Sequence, residues 1–177
     1  MIGPGSSSES WPVWRGPNGN GTSSEKGLLR KFPSGKPKQL WTAQIGEGWS
    51  TIAVADGRAF VSGNVAGTDT IAALNAKTGK LIWKYSYPCS PGDYGGPRAT
   101  PCVVGGIVYS VSREGVVYAL GADTGKLVWQ RAVAAETRCP IPTWGFSGST
   151  LVDGNRVYVN IGVTGAALDR ATGKIVW

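Results

Sequence analysis

Short stretches in which apolar and polar residues alternate recur along the chain, and each follows a turn that contains glycine. The clearest examples are residues 56–61, 105–110 and 153–159. Glycine adopts the positive φ that closes a tight turn, and alternation places successive side chains on opposite faces of a sheet. These stretches predict β-hairpins, and none has the apolar stripe of an amphipathic helix.

A longer pattern follows each hairpin. Residues 73–83, 119–129 and 167–177 share A-L-x-x-x-T-G-K-[LI]-[IV]-W, and the closing tryptophans are 46 and 48 residues apart. Four short antiparallel strands at this period are typical of a β-propeller blade. The sequence therefore predicts an all-β chain with blades at about 49–86, 94–132 and 144–177. In the second blade, strands are expected at about 98–104, 107–112, 115–121 and 126–132.

The repeated tryptophans and turn glycines are predicted to hold the blades together. A blade cannot bury both of its faces alone, so an aromatic side chain on its outer strand is expected to pack on the neighbouring blade. Trp41 ends a similar stretch without the T-G-K turn and predicts one extra outer strand, which would complete the last blade of a closed ring and remove a free sheet edge. The predicted docking residues are Trp41, Trp83, Trp129, Trp177, Gly79, Gly125 and Gly173.

Composition supports strands joined by tight turns and gives no sign of a nucleic-acid or membrane-spanning role. The chain has 27 glycines and 8 tryptophans, and 16% of its residues are charged. The net charge is +7, but lysine and arginine are spread along the chain, so no nucleic-acid interface is indicated. The chain contains no run of 18 apolar residues, so no transmembrane segment is predicted. Residues 1–10 predict a disordered leader without an apolar signal segment, and residues 11–39 predict an N-terminal arm.

Histidine and cysteine usage limits the chemistry. The absence of histidine excludes a Ser-His-Asp triad and a histidine-ligated zinc site from these residues. The three cysteines are Cys89, Cys102 and Cys139, and no CxxC pair occurs, so no metal site is predicted. A Cys89–Cys102 disulfide and three buried free thiols are both compatible with the sequence.

The repeat resembles the PQQ-like, or tryptophan-docking, quinoprotein propeller family, whose blade motif is A-x-D-x-x-T-G-K-x-x-W. Only the third unit carries the aspartate, Asp169. Residues 11–21, 96–101 and 144–149 are similar to a subgroup of secreted bacterial PQQ-binding-like repeat proteins. The resemblance implies a periplasmic or secreted protein with a ring of about seven or eight blades. Its open faces would be covered by the remaining blades of the same protein or by a second copy of the chain.

The resemblance leaves three functions open. The chain is expected to be a non-catalytic scaffold or binding module, part of a quinoprotein alcohol or sugar dehydrogenase, or a sensor domain. A quinoprotein needs PQQ and a calcium site built from Glu, Asn and Asp oxygens, and alcohol-oxidising members carry an adjacent cysteine pair that is absent here. Only Glu47, Asp93 and Glu136 lie in segments that could face the channel. The residues themselves therefore predict no catalytic group and no cofactor; PQQ and calcium are implied by the resemblance alone.

Candidate ligand residues lie in the loops that enter the innermost strands, at 44–50, 87–100 and 134–147. They are Trp49, Asp93, Tyr94, Arg98 and Trp144. One arginine among aromatic side chains at a channel mouth could hold an anionic or planar ligand, and the same loops could receive a protein partner. In the alternative arrangement, Trp49 and Trp144 plug the channel and Arg98 pairs with a carboxylate.

Overall fold

Three antiparallel sheets follow one another along the chain in the computed structural model, which describes residues 10–162 and 164–177. In each sheet the strands lie in sequence order. The first contains β1 (Ala53–Ala55), β2 (Arg58–Val65), β3 (Thr68–Asn75) and β4 (Leu81–Pro88). The second contains β5 (Cys102–Val104), β6 (Ile107–Val111), β7 (Val116–Gly121) and β8 (Leu127–Ala132). The third contains β9 (Leu151–Asp153), β10 (Arg156–Val159) and β11 (Ala166–Asp169).

The three sheets are successive blades, because their first strands lie side by side: β5 contacts both β1 and β9. We call the sheets blades 1, 2 and 3, and call β1, β5 and β9 the inner strands. The predicted class, an all-β partial propeller of four-stranded antiparallel blades, is confirmed. The inner strand of blade 2 is shorter than predicted, since it begins at Cys102, directly after Pro101, which has no N–H to pair.

Two predicted strands are reduced or absent. The fourth strand of blade 3 is represented by one bridge, Leu168 to Ile175, and by the Val176 N–H, which donates to the Ala167 carbonyl at 2.7 Å. No strand is assigned around Trp41. A strand needs a hydrogen-bonded neighbour, and the structure describes no backbone hydrogen bond for residues 38–43.

The apolar core lies between the blades. Phe60, Ile71 and Trp83 of blade 1 are buried in one cluster with Val108 and Leu120 of blade 2. A second cluster joins blades 2 and 3 and includes Tyr109, Val117, Trp129, Val157 and Leu168. Burial between sheets, rather than within one, means that each blade depends on its neighbour for stability.

Several features lie outside the blades. The predicted leader falls, apart from Ser10, outside the described residues. A one-turn helix, α1 (Val133–Glu136), follows β8 in a segment predicted as a loop. All three cysteines are free thiols, with Cys89 and Cys102 buried. In the ranges that the structure describes, no helix has the length and apolarity needed to span a bilayer.

Candidate functional site

The indoles of Trp83 and Trp129 each contact the T-G-K turn of the following blade. The indole of Trp41, which precedes blade 1, contacts the T-G-K turn of blade 1. In each case the indole N–H donates to the carbonyl of the residue three positions before the turn glycine. The pairs are Trp41 to Ala76 at 3.1 Å, Trp83 to Ala122 at 2.8 Å, and Trp129 to Arg170 at 2.9 Å. The same contact thus occurs at three successive positions around the arc.

The turn glycines permit this contact. Gly79, Gly125 and Gly173 have φ values of 69°, 67° and 69°, a region that favours glycine. A methyl group on any of them would lie 2.5 to 2.6 Å from a ring atom of the indole above it. Each glycine is therefore required for both the turn and the approach of the tryptophan.

Trp177 differs from the other three tryptophans. Its side chain is 62% exposed and its ring contacts Tyr158 of the same blade, with centroids 6.1 Å apart. Each T-G-K turn in the described ranges already carries one indole, so no such turn is left for Trp177. It borders an open groove of about 380 Å³ that is also lined by Cys139, Ile161 and Ala166.

The N-terminal arm crosses the free edges of two inner strands. The Trp11 N–H donates to the Val54 carbonyl at 2.7 Å, and the Val54 N–H donates back to the Trp11 carbonyl at 2.9 Å. The Pro12 carbonyl accepts from the Val103 N–H at 2.9 Å. The ring of Trp11 covers Gly16, where the chain turns. The arm thus lies along the inner strands of blades 1 and 2.

A chain of hydroxyl groups links the starts of the inner strands. Thr51, Thr100 and Ser149 are spaced 49 residues apart, and each stands two residues before an inner strand, β1, β5 or β9. The Thr51 N–H donates to the Thr100 hydroxyl at 3.2 Å, and the Thr100 N–H donates to the Ser149 hydroxyl at 2.9 Å. The Thr51 and Thr100 hydroxyls are 2.8 Å apart. The Thr100 and Ser149 oxygens thus accept from backbone amides, and one O–H of the Thr51–Thr100 pair donates to the other hydroxyl.

Beside this chain lies an open cleft of about 380 Å³, which we call the mouth cleft. Its lining residues are Trp14, Trp49, Thr51, Arg98, Thr100, Ser147, Gly148, Ser149 and Asn160. Trp49, Arg98 and Ser147 stand two residues before the three linked hydroxyl residues, so each blade contributes the same two positions. Trp14 comes from the arm. The cleft is within the size range of small-molecule sites, roughly 300–1,000 Å³.

Four of the five predicted ligand residues form two pairs, and Asp93 belongs to neither. Trp49 and Arg98 line the mouth cleft, whereas Tyr94 and Trp144 contact each other with ring centroids 4.7 Å apart. Arg98 joins the two pairs, because its Nη2 donates to the Tyr94 carbonyl at 3.1 Å. Asp93 is exposed and makes no ion pair with a described residue.

Arg98 is a cation without a carboxylate partner in the described ranges, in contrast to the alternative in which it forms an ion pair. Its Nη1 is buried and has no hydrogen-bond partner there. A buried donor left unpaired costs about 1–3 kcal/mol, so an acceptor placed beside it would be strongly favoured.

The described carboxylates do not gather into the cluster that a calcium site needs. Over the described ranges, no three Asp, Glu, Cys or His residues lie close enough to hold a metal ion together. Of the three acidic residues predicted near the channel, Glu136 pairs with Arg131 at 3.4 Å, and the backbone of Glu47 pairs with Asn64. The residues present therefore do not fit the calcium site of a quinoprotein.

A buried polar cluster that the sequence analysis missed lies at the β2–β3 hairpin. Asp69 is buried and its Oδ1 accepts from Asn64 Nδ2 at 2.6 Å, while its Oδ2 has no described partner. Burial raises the pKa of Asp69, and burial also raises the pKa of Tyr87 well above its usual value. The only sequence signal was a pair of polar residues flanking the turn at 65–68. Asn64, Asp69 and Tyr87 are all buried.

Comparison with known proteins places these observations in a family. A family model described as outer membrane protein assembly factor BamB matches residues 25–177. A search of the curated proteins found no match.

Solved structures share the fold. BamB from Moraxella catarrhalis is 25% identical with a TM-score of 0.54, over 75% of this chain and 36% of that chain. Quinohemoprotein alcohol dehydrogenase from Comamonas testosteroni is 24% identical with a TM-score of 0.60, over 75% of this chain and 21% of that chain. The quinohemoprotein alcohol dehydrogenase ADHIIG from Pseudomonas putida HK5 is 25% identical with a TM-score of 0.57, over 77% and 21%. The chain thus spans about a third or less of the length of these proteins.

The repeated T-G-K…W units, the stacked four-stranded blades and the matched family model all describe one architecture. The chain belongs to the PQQ-like repeat family whose model is described as outer membrane protein assembly factor BamB.

Proposed function

We propose that the chain is a non-catalytic scaffold and binding module that works outside the cytoplasm as part of a propeller. The observation that carries this proposal is the repeated docking of one indole on the glycine turn of the next blade, at Gly79, Gly125 and Gly173. This contact fixes the blades relative to one another and leaves their connecting loops free for recognition.

The docking contacts also indicate what this scaffold joins. Three glycine turns already carry an indole, while Trp177 remains 62% exposed beside an open groove. A further blade with the same turn, supplied by the whole protein or by another copy, would cover it. A protein partner at the loops is supported by the similarity to BamB, whose family description names it an assembly factor.

A quinoprotein dehydrogenase is the second candidate, and the similarity of fold to the two alcohol dehydrogenases favours it. Two local observations oppose it in this part of the chain. The acidic residues near the channel do not cluster, and the arm lies along the inner edges of β1 and β5. Fold similarity alone does not transfer an activity.

Calorimetric titration of the chain with PQQ in the presence of calcium separates the two candidates. We expect no saturable heat and no dye-linked oxidation of alcohols or sugars. Saturable PQQ binding that disappears when calcium is chelated would contradict the scaffold proposal. Fractionation of cells that express the native gene tests the location, and a purely cytoplasmic product would contradict an extracytoplasmic role.

A further inference from the structure

The mouth cleft has a mixed lining of charged, aromatic and hydroxyl side chains, which a scaffold role does not require. Besides Gly148, its lining consists of one arginine, two tryptophans, four hydroxyl residues and one asparagine, and it contains no carboxylate. We propose that it is a binding site for an acidic sugar, with one carboxylated ring held between the indoles and the hydroxyl wall. This proposal goes beyond the scaffold role and does not depend on it.

The charge at the cleft favours an anion. Arg98 has no carboxylate partner among the described residues, and its Nη1 has no hydrogen-bond partner. Its Nη2 donates to the Tyr94 carbonyl, and because Nη1 is buried, the guanidinium would turn toward the cleft to meet an anion. A guanidinium binds a carboxylate through charge-assisted hydrogen bonds, and the unpaired Nη1 would gain an acceptor there.

The hydroxyl wall favours a ligand rich in oxygen. The Ser149 O–H can be donated to a ligand, and the Thr51–Thr100 pair leaves one further O–H free, because the other donates within the pair. Ser147 and Asn160 add an exposed hydroxyl and an exposed amide on the same lining. A sugar supplies several hydroxyl groups for such a wall, whereas benzenetricarboxylate supplies none.

The two indoles favour a ligand with a flat C–H face. Trp14 is 59% exposed and Trp49 is 65% exposed, although both line the cleft. The face of an indole carries negative charge density, which attracts the positively polarised C–H groups of a sugar ring. A flat aromatic polyacid could stack as well, but benzenetricarboxylate has no hydroxyl groups for the hydroxyl wall. The combination therefore favours a carboxylate on a hydroxylated ring.

The arm completes the site. Trp14 lies three residues after Trp11, whose backbone is paired in both directions with Val54, and two residues before the turn at Gly16. The arm thus supplies one wall of the cleft, and the blades and the loops before them supply the other lining residues.

The test is a titration of the full chain, followed by calorimetry, with trigalacturonate as the acidic sugar. Neutral galactotriose and benzenetricarboxylate are the matched comparison ligands. We expect saturable binding of trigalacturonate that weakens as salt is raised, and at least tenfold weaker binding of the other two. Absence of saturable trigalacturonate binding at millimolar concentration would overturn the proposal. Equal binding of galactotriose would overturn the role of the charge, and tighter binding of benzenetricarboxylate would overturn the sugar class.

Substitutions assign the binding to the cleft. Arg98→Gln is expected to weaken trigalacturonate binding about tenfold or more, Arg98→Lys less, and Trp49→Ala several-fold. Lys84→Gln, on the outermost strand, and Trp177→Ala, an equally exposed indole outside the cleft, are the controls and should change affinity less than twofold. Near-ultraviolet circular dichroism verifies the fold of each variant. Unchanged affinity in a folded Arg98→Gln variant would place the ligand elsewhere and refute the site.

Discussion

At the scale of single residues, the junction between blades rests on a tryptophan and a glycine from different sheets. The glycine adopts a positive φ, and its missing side chain leaves room for the indole. The N–H of the same indole donates to a turn carbonyl, so a large apolar group is buried without an unpaired donor. Apolar burial and hydrogen bonding therefore act on the same pair of residues.

Gly125→Ala should destabilise the chain more than Gly106→Ala does. Both glycines have positive φ, 67° and 74°, but a methyl group at Gly125 would lie 2.6 Å from the Trp83 ring, whereas Gly106 faces open space. The backbone penalty, about 1–2 kcal/mol, is common to both variants. We expect a further loss of about 1–3 kcal/mol at Gly125 from the clash. Urea unfolding measures both values, and equal losses would show that docking on Gly125 contributes nothing.

The three thiols should differ in reactivity. Burial raises the pKa of Cys89 to about 12 and also raises the pKa of Cys102, so neither forms much thiolate near neutral pH. Cys139 is partly exposed. We expect N-ethylmaleimide to label one thiol of the native chain, at Cys139, and all three after unfolding, as read by mass spectrometry. A loss of two mass units with only one labelled thiol after unfolding would instead reveal a disulfide.

Asp69 should make the stability depend on pH. Burial raises its pKa in the folded chain above the ordinary value of 3.8, so the folded state holds the proton more tightly than the unfolded state. Its contribution to stability is therefore present below about pH 3.8 and is lost as pH rises through the folded pKa, by at most about 1.4 kcal/mol per pH unit. Asp69→Asn should remove this component. A difference in unfolding free energy between the two proteins that stays flat or grows in favour of the native chain as pH rises would refute it.

At the scale of elements, the arm is the feature that distinguishes this arc from a plain stack of blades. It satisfies the inward-facing N–H groups of Val54 and Val103, which occupy equivalent positions in β1 and β5. The equivalent residue of β9, Val152, donates to no described residue of the arm. The arm therefore protects two inner strands and leaves the third open.

Hydrogen exchange can detect this difference. In the native chain, the Val54 and Val103 amides should exchange more slowly than the Val152 amide. Trp11→Pro removes both the N–H that donates to Val54 and the indole that covers Gly16, so both protected amides should exchange faster. Trp14→Ala is the control and should leave them protected. If Val54 stays protected in Trp11→Pro, the arm is not the source of its protection.

The sequence predicted the repeated elements strand by strand and the N-terminal arm only as a segment. The T-G-K…W units placed the second blade to within a few residues, because each strand pairs with its neighbour in the chain. The arm pairs with strands about 40 and 90 residues away through backbone hydrogen bonds, and no repeated sequence pattern marks the paired residues. The hydroxyl chain was within reach, since Thr51, Thr100 and Ser149 keep a constant spacing of 49 residues. As exposed tryptophans in predicted loops, Trp49 and Trp144 could not be told apart from the sequence. Only Trp49 stands, like Arg98, two residues before a linked hydroxyl residue, and of the two tryptophans only Trp49 lines the mouth cleft.

At the scale of the whole molecule, the described chain has four repeat tryptophans but only three T-G-K turns. Trp41, Trp83 and Trp129 occupy the turns at Gly79, Gly125 and Gly173, and Trp177 is left at the open face of blade 3. A head-to-tail contact between two copies would place Trp177 of one copy near the turn of blade 1 in the next. Such a contact is heterologous, so it can extend into a ring or an open chain.

Because Trp41 already covers Gly79, a second copy gains that turn only if Trp41 leaves it. Light scattering should therefore show weak association of the native chain that increases with concentration, and stronger association of Trp41→Ala, in which the turn is vacant. Trp177→Ser should associate less than the native chain, and adding it to Trp41→Ala should cancel the gain. Trp144→Ser, an exposed indole at the channel mouth, controls for general surface apolarity. If Trp41→Ala associates equally with and without Trp177, exposed apolar surface rather than indole docking drives assembly, and the turn at Gly79 is not the acceptor.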